Sequence, residues 1–299
     1  MKYFDRKGNV IEKQDRWDSF WNLCYNNPIG RMLIKPFTSP VFSRFVGAVL
    51  DSRLSVLLTL PYKFLFSVSM EEYEPKYYES YNAFFTREMK AEYRPVDGEI
   101  GSLVAPSDGK LRLYPITEQG TFSIKGSQYT VESLLKSREL ARAYEGGTAV
   151  VIRLDGEDYH HFCYAASGKK GKSHYLQGVL HPLVPATVGN MPVFKENARE
   201  YCRIRTKYFD ELIQMEVGAM LVGRIENPVQ GIKEVTKGES KGYFSYGGST
   251  TVLLMKKDTV DFDTDLLENS QKEMETQVKM GERIGYKTGE DKSLKFFHI

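Results

Sequence analysis

Three short segments hold the side chains best suited to covalent and acid–base chemistry. The first is residues 237–254, KGESKGYFSYGGSTTVLL, in which Ser249 follows two glycines and opens an apolar run. A serine hydroxyl becomes a useful nucleophile only when a neighbouring base takes its proton. Without that base, Gly-Gly-Ser-Thr is an ordinary turn feeding a strand. The second is residues 105–110, APSDGK. Its carboxylate is Asp108, and Asp-Gly is by itself a common turn dipeptide. The third is residues 158–163, DYHHFC, which brings His160, His161 and Cys163 close together. In an extended chain residues 161 and 163 share one face and residue 160 takes the other. A free thiol titrates near about 8.5, so Cys163 could serve as a thiolate base or be an inert buried residue. His174 and His181 stand in a Gly-containing stretch that reads as a loop, and His298 is next to the last residue. Lone histidines of this kind are usually structural or exposed. Arg199 could hold a phosphate through its guanidinium or make a structural salt bridge. A hydrolase pairing Ser249 with a histidine base is one chemistry these residues permit.

The elements that must position these groups divide the chain. From about residue 100 onward, short β-rich runs alternate with Gly, Pro, Asp and Ser, as in residues 148–154 (TAVVIRL), 219–226 (AMLVGRIE) and 250–255 (TTVLLM). Such texture predicts a strand-dominated body, with a short helix near 131–137. Residues 1–20 are polar and read as peripheral, and the tail from Glu268 is charged and helical at first. Residues 40–70 are rich in Phe, Val and Leu, but Arg44, Asp51, Arg53 and Lys63 interrupt them, so no run reaches the ~18 apolar residues of a spanning helix. Phe42, Phe45, Val46 and Val49 form one stripe at helical spacing. Leu54, Leu57 and Leu58 continue it, and Pro61 is expected to end it. This segment suits either a helical layer packed on the body or an interfacial helix pair with Arg44, Arg53 and Lys63 near lipid phosphates. The expected class is therefore α+β, with a helical region over 1–75 and a strand-rich body over 76–299. The net charge of +2 is too small to argue for nucleic acid. Three cysteines without a CxxC pair signal neither zinc nor a disulfide framework. A polar N-terminus without a signal-peptide core fits a reducing compartment.

The order of several boxes along the chain resembles the phosphatidylserine decarboxylase proenzyme family. Residues 237–250 resemble its processing segment, a Lys-Gly-x-Glu-x-Gly stretch leading to Gly-Ser-Thr, with Ser240 in the Glu slot and Glu239 just before it. Residues 82–88 (NAFFTRE) with Arg94-Pro95, residues 105–110, residues 124–126 (IKG) ahead of Tyr129 and Leu134-Leu135, residues 158–160 (DYH), 197–200 (NARE) and 217–223 (VGAMLVG) follow in family order. The resemblance implies self-cleavage between Gly248 and Ser249, giving a β chain of 1–248 and an α chain of 249–299. The Ser249 oxygen would attack the carbonyl of Gly248, where the absence of a side chain leaves the approach uncrowded. Elimination and loss of ammonia would convert Ser249 into a covalent pyruvoyl cofactor that forms a Schiff base with the substrate amine and accepts electrons as carbon dioxide leaves. No metal is called for.

The family's self-cleavage uses Asp, His and Ser. By resemblance Asp108 is the Asp and Ser249 the Ser. The family pattern Asp-Tyr-His-x-x-His departs here: Cys163 stands at the second His, with an additional His at 161. The candidates for the base are therefore His160 first, then His161, then Cys163. The implied activity is decarboxylation of phosphatidylserine to phosphatidylethanolamine by a peripheral enzyme on the cytoplasmic side of the cell membrane, its own α and β chains forming a heterodimer that could assemble further. Rival readings are a pyruvoyl decarboxylase of a soluble amino acid and a phospholipid-binding homologue that never matures.

Overall fold

The computed structural model describes residues 2–13, 18–66, 68–124, 127–181, 193–219, 224–245 and 249–289. Its centre is an 11-stranded sheet. From one edge the order is Val10–Glu12, Lys2–Phe4, Glu275–Val278, Gly109–Pro115, Thr148–Leu154, Ser249–Met255, Glu211–Val217, Arg199–Thr206, Gly168–Lys170 and Lys233–Val235, with His174–Leu176 pairing a second time to Arg199–Thr206. The central strands Thr148–Leu154 and Ser249–Met255 carry the apolar runs 149–152 (AVVI) and 252–255 (VLLM), because both faces of the sheet are covered there. Ser249–Met255 is buried at every position. Alternation puts Val252 and Leu254 into one core with Ile213 and Met215, and Leu253 and Met255 into the other with Ile152 and Leu212. The expected α+β class and strand-rich body are thus observed.

Beside this sheet, His161–Cys163, Ser240–Ser245 and Arg224–Glu226 form a three-stranded sheet, and Ser102–Val104, Arg283–Lys287 and Val260–Phe262 form another. The helix expected near 131–137 spans Val131–Leu135. Thr130 and Ser133 cap it reciprocally, and Lys136 ends it in the left-handed conformation at φ 54°. The charged tail is only briefly helical, over Thr264–Gln271, and then supplies the strands Glu275–Val278 and Arg283–Lys287. The polar start forms a hairpin at the edge of the sheet, peripheral as expected. Lys2–Phe4 runs parallel to Glu275–Val278 with Tyr3 buried, and Arg6 bonds to Asp263 and Asp265.

Four helices, Asp18–Asn26, Pro28–Ile34, Pro40–Leu50 and Thr59–Phe66, with short 3-10 turns between them, occupy the N-terminal region. Pro61 does not stop the pattern. It sits in the first turn of Thr59–Phe66, where its missing N–H would have had no intrahelical partner. The faces of this layer are inverted relative to a water-facing helix: Thr38, Ser43, Gly47, Ser55 and Thr59 turn inward, while Val41, Phe45, Leu54, Leu57 and Leu60 turn outward. Thr38, Ser55 and Thr59 can face the body because their hydroxyls reach backbone carbonyls. Ser55 Oγ donates to Leu50 O at 2.7 Å and accepts from Tyr81 N at 2.8 Å. Among the described residues no helix is long and apolar enough to cross a membrane.

Candidate active site

Backbone pairing brings the three chemistry-bearing segments together. The segment before Asp108 lies along His161–Cys163, with Cys163 N donating to Pro106 O at 2.8 Å and Ser107 bridged to Phe162. Ser240–Ser245, which leads to the Gly-Gly pair, lies along the other side. Tyr243 pairs with His161, and Phe244 N donates to His160 O at 2.9 Å. Ser107 Oγ then meets Thr251 Oγ1 at 2.8 Å, tying the Asp108 turn to the strand that Ser249 opens. Gly109 must be glycine here: its φ is +142°, and a Cβ would lie 2.6 Å from Arg153 O.

Ser249 pairs with Leu154 and is wholly buried. Its Oγ has no hydrogen-bond partner among the described residues. A buried hydroxyl left in that state costs about 1–3 kcal/mol, so it calls for an explanation, of which a catalytic role is one. Gly248 lies outside the described residues. Asp108 is clamped: Arg94 donates to it from Nε at 2.8 Å and Nη2 at 2.5 Å, and Met280 N donates at 2.8 Å. Asp108 is buried and the Arg94 side chain is only 9% exposed, so removing one partner strands the other charge. Arg94→Met is expected to lower stability by about 3–5 kcal/mol, and Arg94→Met with Asp108→Asn should recover part of that loss, both read from urea unfolding.

The His160 ring lies 4.4 Å from the Phe85 ring, and its Nδ1 is 2.8 Å from Asp158 O. A carbonyl only accepts, so Nδ1 carries the proton and Nε2 of the neutral ring carries the lone pair of a base. His161 is held differently. It stacks on Tyr159 at 4.6 Å, lies 5.2 Å from Tyr243, and donates from Nε2 to Thr86 O at 3.0 Å. Burial holds its pKa below the ordinary histidine value. Cys163 does not suit the role of a thiolate base. Its Sγ donates to Ala105 O at 3.8 Å, and burial pushes the thiol up to about 12, so it stays protonated near neutrality.

The remaining candidates are placed away from this cluster. His174 is exposed, belongs to the short strand His174–Leu176 rather than a loop, and stacks on Tyr201 at 5.1 Å. The His181 ring Nδ1 meets Tyr25 Oη at 3.2 Å, and the His181 backbone N–H donates to Asn197 Oδ1 at 3.0 Å. His298 lies outside the described residues. Arg199 takes neither expected role. It is buried and donates to the carbonyls of Leu134, Lys195, Asn197 and Ser133, so its guanidinium pins the helix Val131–Leu135 to the sheet. Burial lowers its pKa to about 10.

Sequence reasoning missed the groups that hold the site. Arg94 is one. Lys110 is another: it is fully buried with Nζ 2.9 Å from Asp158 and 3.1 Å from Asp155. Burial alone favours the neutral amine, but the two carboxylates outweigh it and keep the lysine charged. A third is Lys241, within the processing segment, whose buried ammonium bonds to Glu216 and, at 3.1 Å, to Asn227 Oδ1. The only sequence signal was that these lysines fall inside or beside the family boxes.

Comparison with known proteins places the chain in a family. The family model for phosphatidylserine decarboxylase matches residues 81–286. The chain is 40% identical over 282 residues to phosphatidylserine decarboxylase proenzyme 2 of Clostridium acetobutylicum, covering 94% of this chain and 96% of that one. It is 34% identical over 293 residues to the phosphatidylserine decarboxylase proenzyme of Clostridium perfringens strain SM101, covering 96% and 100%. A proenzyme of the same name from Fusobacterium nucleatum is 33% identical over 291 residues, covering 95% and 97%. These matches define the class as a decarboxylase. The chain belongs to the phosphatidylserine decarboxylase family.

Proposed function

We propose that this chain is a proenzyme that cuts itself between Gly248 and Ser249 and then decarboxylates phosphatidylserine to phosphatidylethanolamine at a membrane surface. The observation that carries the reading is the buried hydroxyl of Ser249, without a hydrogen-bond partner among the described residues, at the first position of a central strand beside the Asp108 and His160 segments. His160 is the base we assign, because its Nδ1 contact leaves Nε2 able to accept the Ser249 proton. Asp108, fixed by Arg94 and the Met280 N–H, supplies the negative charge nearby. His161 borders the same strand pair, with Nδ1 as its lone-pair nitrogen.

In the cut, Ser249 Oγ bonds to the Gly248 carbonyl carbon as its proton passes to the base and the peptide C–N bond breaks, giving an ester. Removal of the Ser249 α-proton expels the Gly248 carboxylate, and water then releases the former amide nitrogen as ammonia. The residues at position 249 fit a small carbonyl group: the site is buried, and its oxygen is committed to no other bond among the described residues. The pyruvoyl group supplies an electron sink that no side chain offers. Leu154, Thr251 and the Asp108 turn would orient it, and His160 holds or returns the proton.

The inverted N-terminal layer supports membrane docking, since Leu54, Leu57, Leu60 and Phe64 stand out in a region that also carries Arg44 and Arg53. An enzyme acting on a headgroup then need not draw acyl chains into water. Purified chain incubated with phosphatidylserine vesicles should release carbon dioxide and form phosphatidylethanolamine, with intact masses matching residues 1–248 and a pyruvoyl-ended 249–299. A single full-length mass with no gas release would support the inert lipid-binding reading instead.

A further inference from the structure

The helix Thr59–Phe66 has one apolar face on each side. Leu60 and Phe64 point out and are 71% and 87% exposed. Tyr62 points in. Its hydroxyl donates to Gly156 O, and its ring meets those of Tyr81, Phe84 and Phe85 at 5.5, 5.9 and 6.0 Å. Phe66 presses on the same turn so closely that a Cβ at Gly156 would lie 2.9 Å from its ring. Both lines end at one imidazole. Phe85 lies 4.4 Å from the His160 ring, and the turn that begins at Asp155 and Gly156 carries Asp158, whose carbonyl accepts from His160 Nδ1. Close packing of this kind leaves little slack, so a shift of the helix is passed on rather than absorbed.

We propose that Tyr62 and Phe85 are positioning residues for His160, through which seating of the helix Thr59–Phe66 in a phospholipid surface sets the imidazole for turnover. The proposal rests on the membrane decarboxylase reading above. A surface shifts such an equilibrium only by binding one arrangement better than the other. Leu60 and Phe64 supply that difference, because they gain apolar surroundings when the helix is seated. The enzyme is then faster on a bilayer than on the same headgroup presented as a monomer.

The test compares matured wild type, Tyr62→Phe and Phe85→Leu on phosphatidylserine–phosphatidylcholine vesicles and on monomeric dihexanoyl phosphatidylserine, per mole of cut chain. Wild type is expected to show a higher kcat on vesicles. Tyr62→Phe, which keeps the ring and loses one oxygen, should lower vesicle kcat roughly tenfold through misplacement of the base, with vesicle pelleting and the apparent KM for surface lipid unchanged. The pH profile of vesicle kcat should also shift, which a loss of stability alone would not cause. Wild-type vesicle-to-monomer ratios in both variants would overturn the proposal. So would equal losses on both substrates accompanied by a lowered melting temperature. Absence of turnover by wild type on either substrate would instead overturn the decarboxylase reading on which it rests.

Discussion

Ser249→Ala is expected to leave one uncut polypeptide with no decarboxylase activity, while the wild type separates into residues 1–248 and 249–299 on denaturing electrophoresis. The loss should be complete rather than graded, because the substitution removes both the attacking oxygen and the atoms from which the carbonyl group is made. It should not unfold the chain. Ser249 makes no side-chain hydrogen bond among the described residues, and its strand is held by backbone pairing to Thr148–Leu154 and Glu211–Val217. Deleting a buried, unpartnered hydroxyl is close to neutral or mildly stabilising. Circular dichroism and thermal unfolding should therefore match the uncut wild type. An alanine protein that still separates into two chains would remove Ser249 from the chemistry.

The second large effect is expected at the outer face of the N-terminal helices. Leu54, Leu57, Leu60 and Phe64 are each more than two-thirds exposed. Changing all four to serine should weaken binding to phosphatidylserine vesicles by roughly three orders of magnitude, on about 1 kcal/mol of lost burial per partly inserted side chain. The same change should move the unfolding midpoint little, because exposed positions contribute within about 0.5 kcal/mol each. Vesicle flotation and urea titration read the two quantities separately. Unchanged flotation would dismiss the docking face.

The parts of this fold that were legible are those in which local pattern and tertiary role coincide. Thr148–Leu154 and the strand from Ser249 read as strands because burial on both faces demands an unbroken apolar run. The helix after Thr130 was legible from its pattern. What remained hidden depends on partners far away in sequence. Asp108 reads as a turn residue until Arg94 is seen to clamp it, and Lys110 finds Asp158 from 48 residues away. Periodicity in residues 40–60 reveals a stripe but not its direction. It took Ser43, Gly47 and Ser55 facing the body to show that the apolar side faces outward. The tail strands were missed because Glu275–Val278 and Arg283–Lys287 carry charged and polar residues that look helical or loose in isolation. Of the site, Ser249 and the histidines were visible as chemistry, whereas the role of Arg199 as a carbonyl clamp was not.

The strand Ser249–Met255 lies between Thr148–Leu154 and Glu211–Val217, and Glu275–Val278 lies between Lys2–Phe4 and Gly109–Pro115. After the proposed cut, the smaller chain would thread through the larger at two places, like a splice in a rope, and dilution alone would not part them. Unfolding would. Reassembly would then become a second-order process, slowing as protein is diluted, whereas the uncut precursor would refold at a rate independent of concentration. Because residue 249 would no longer carry the serine from which its carbonyl arose, a mature molecule whose cofactor is destroyed could not regenerate it, and each copy of the enzyme would have a single working life.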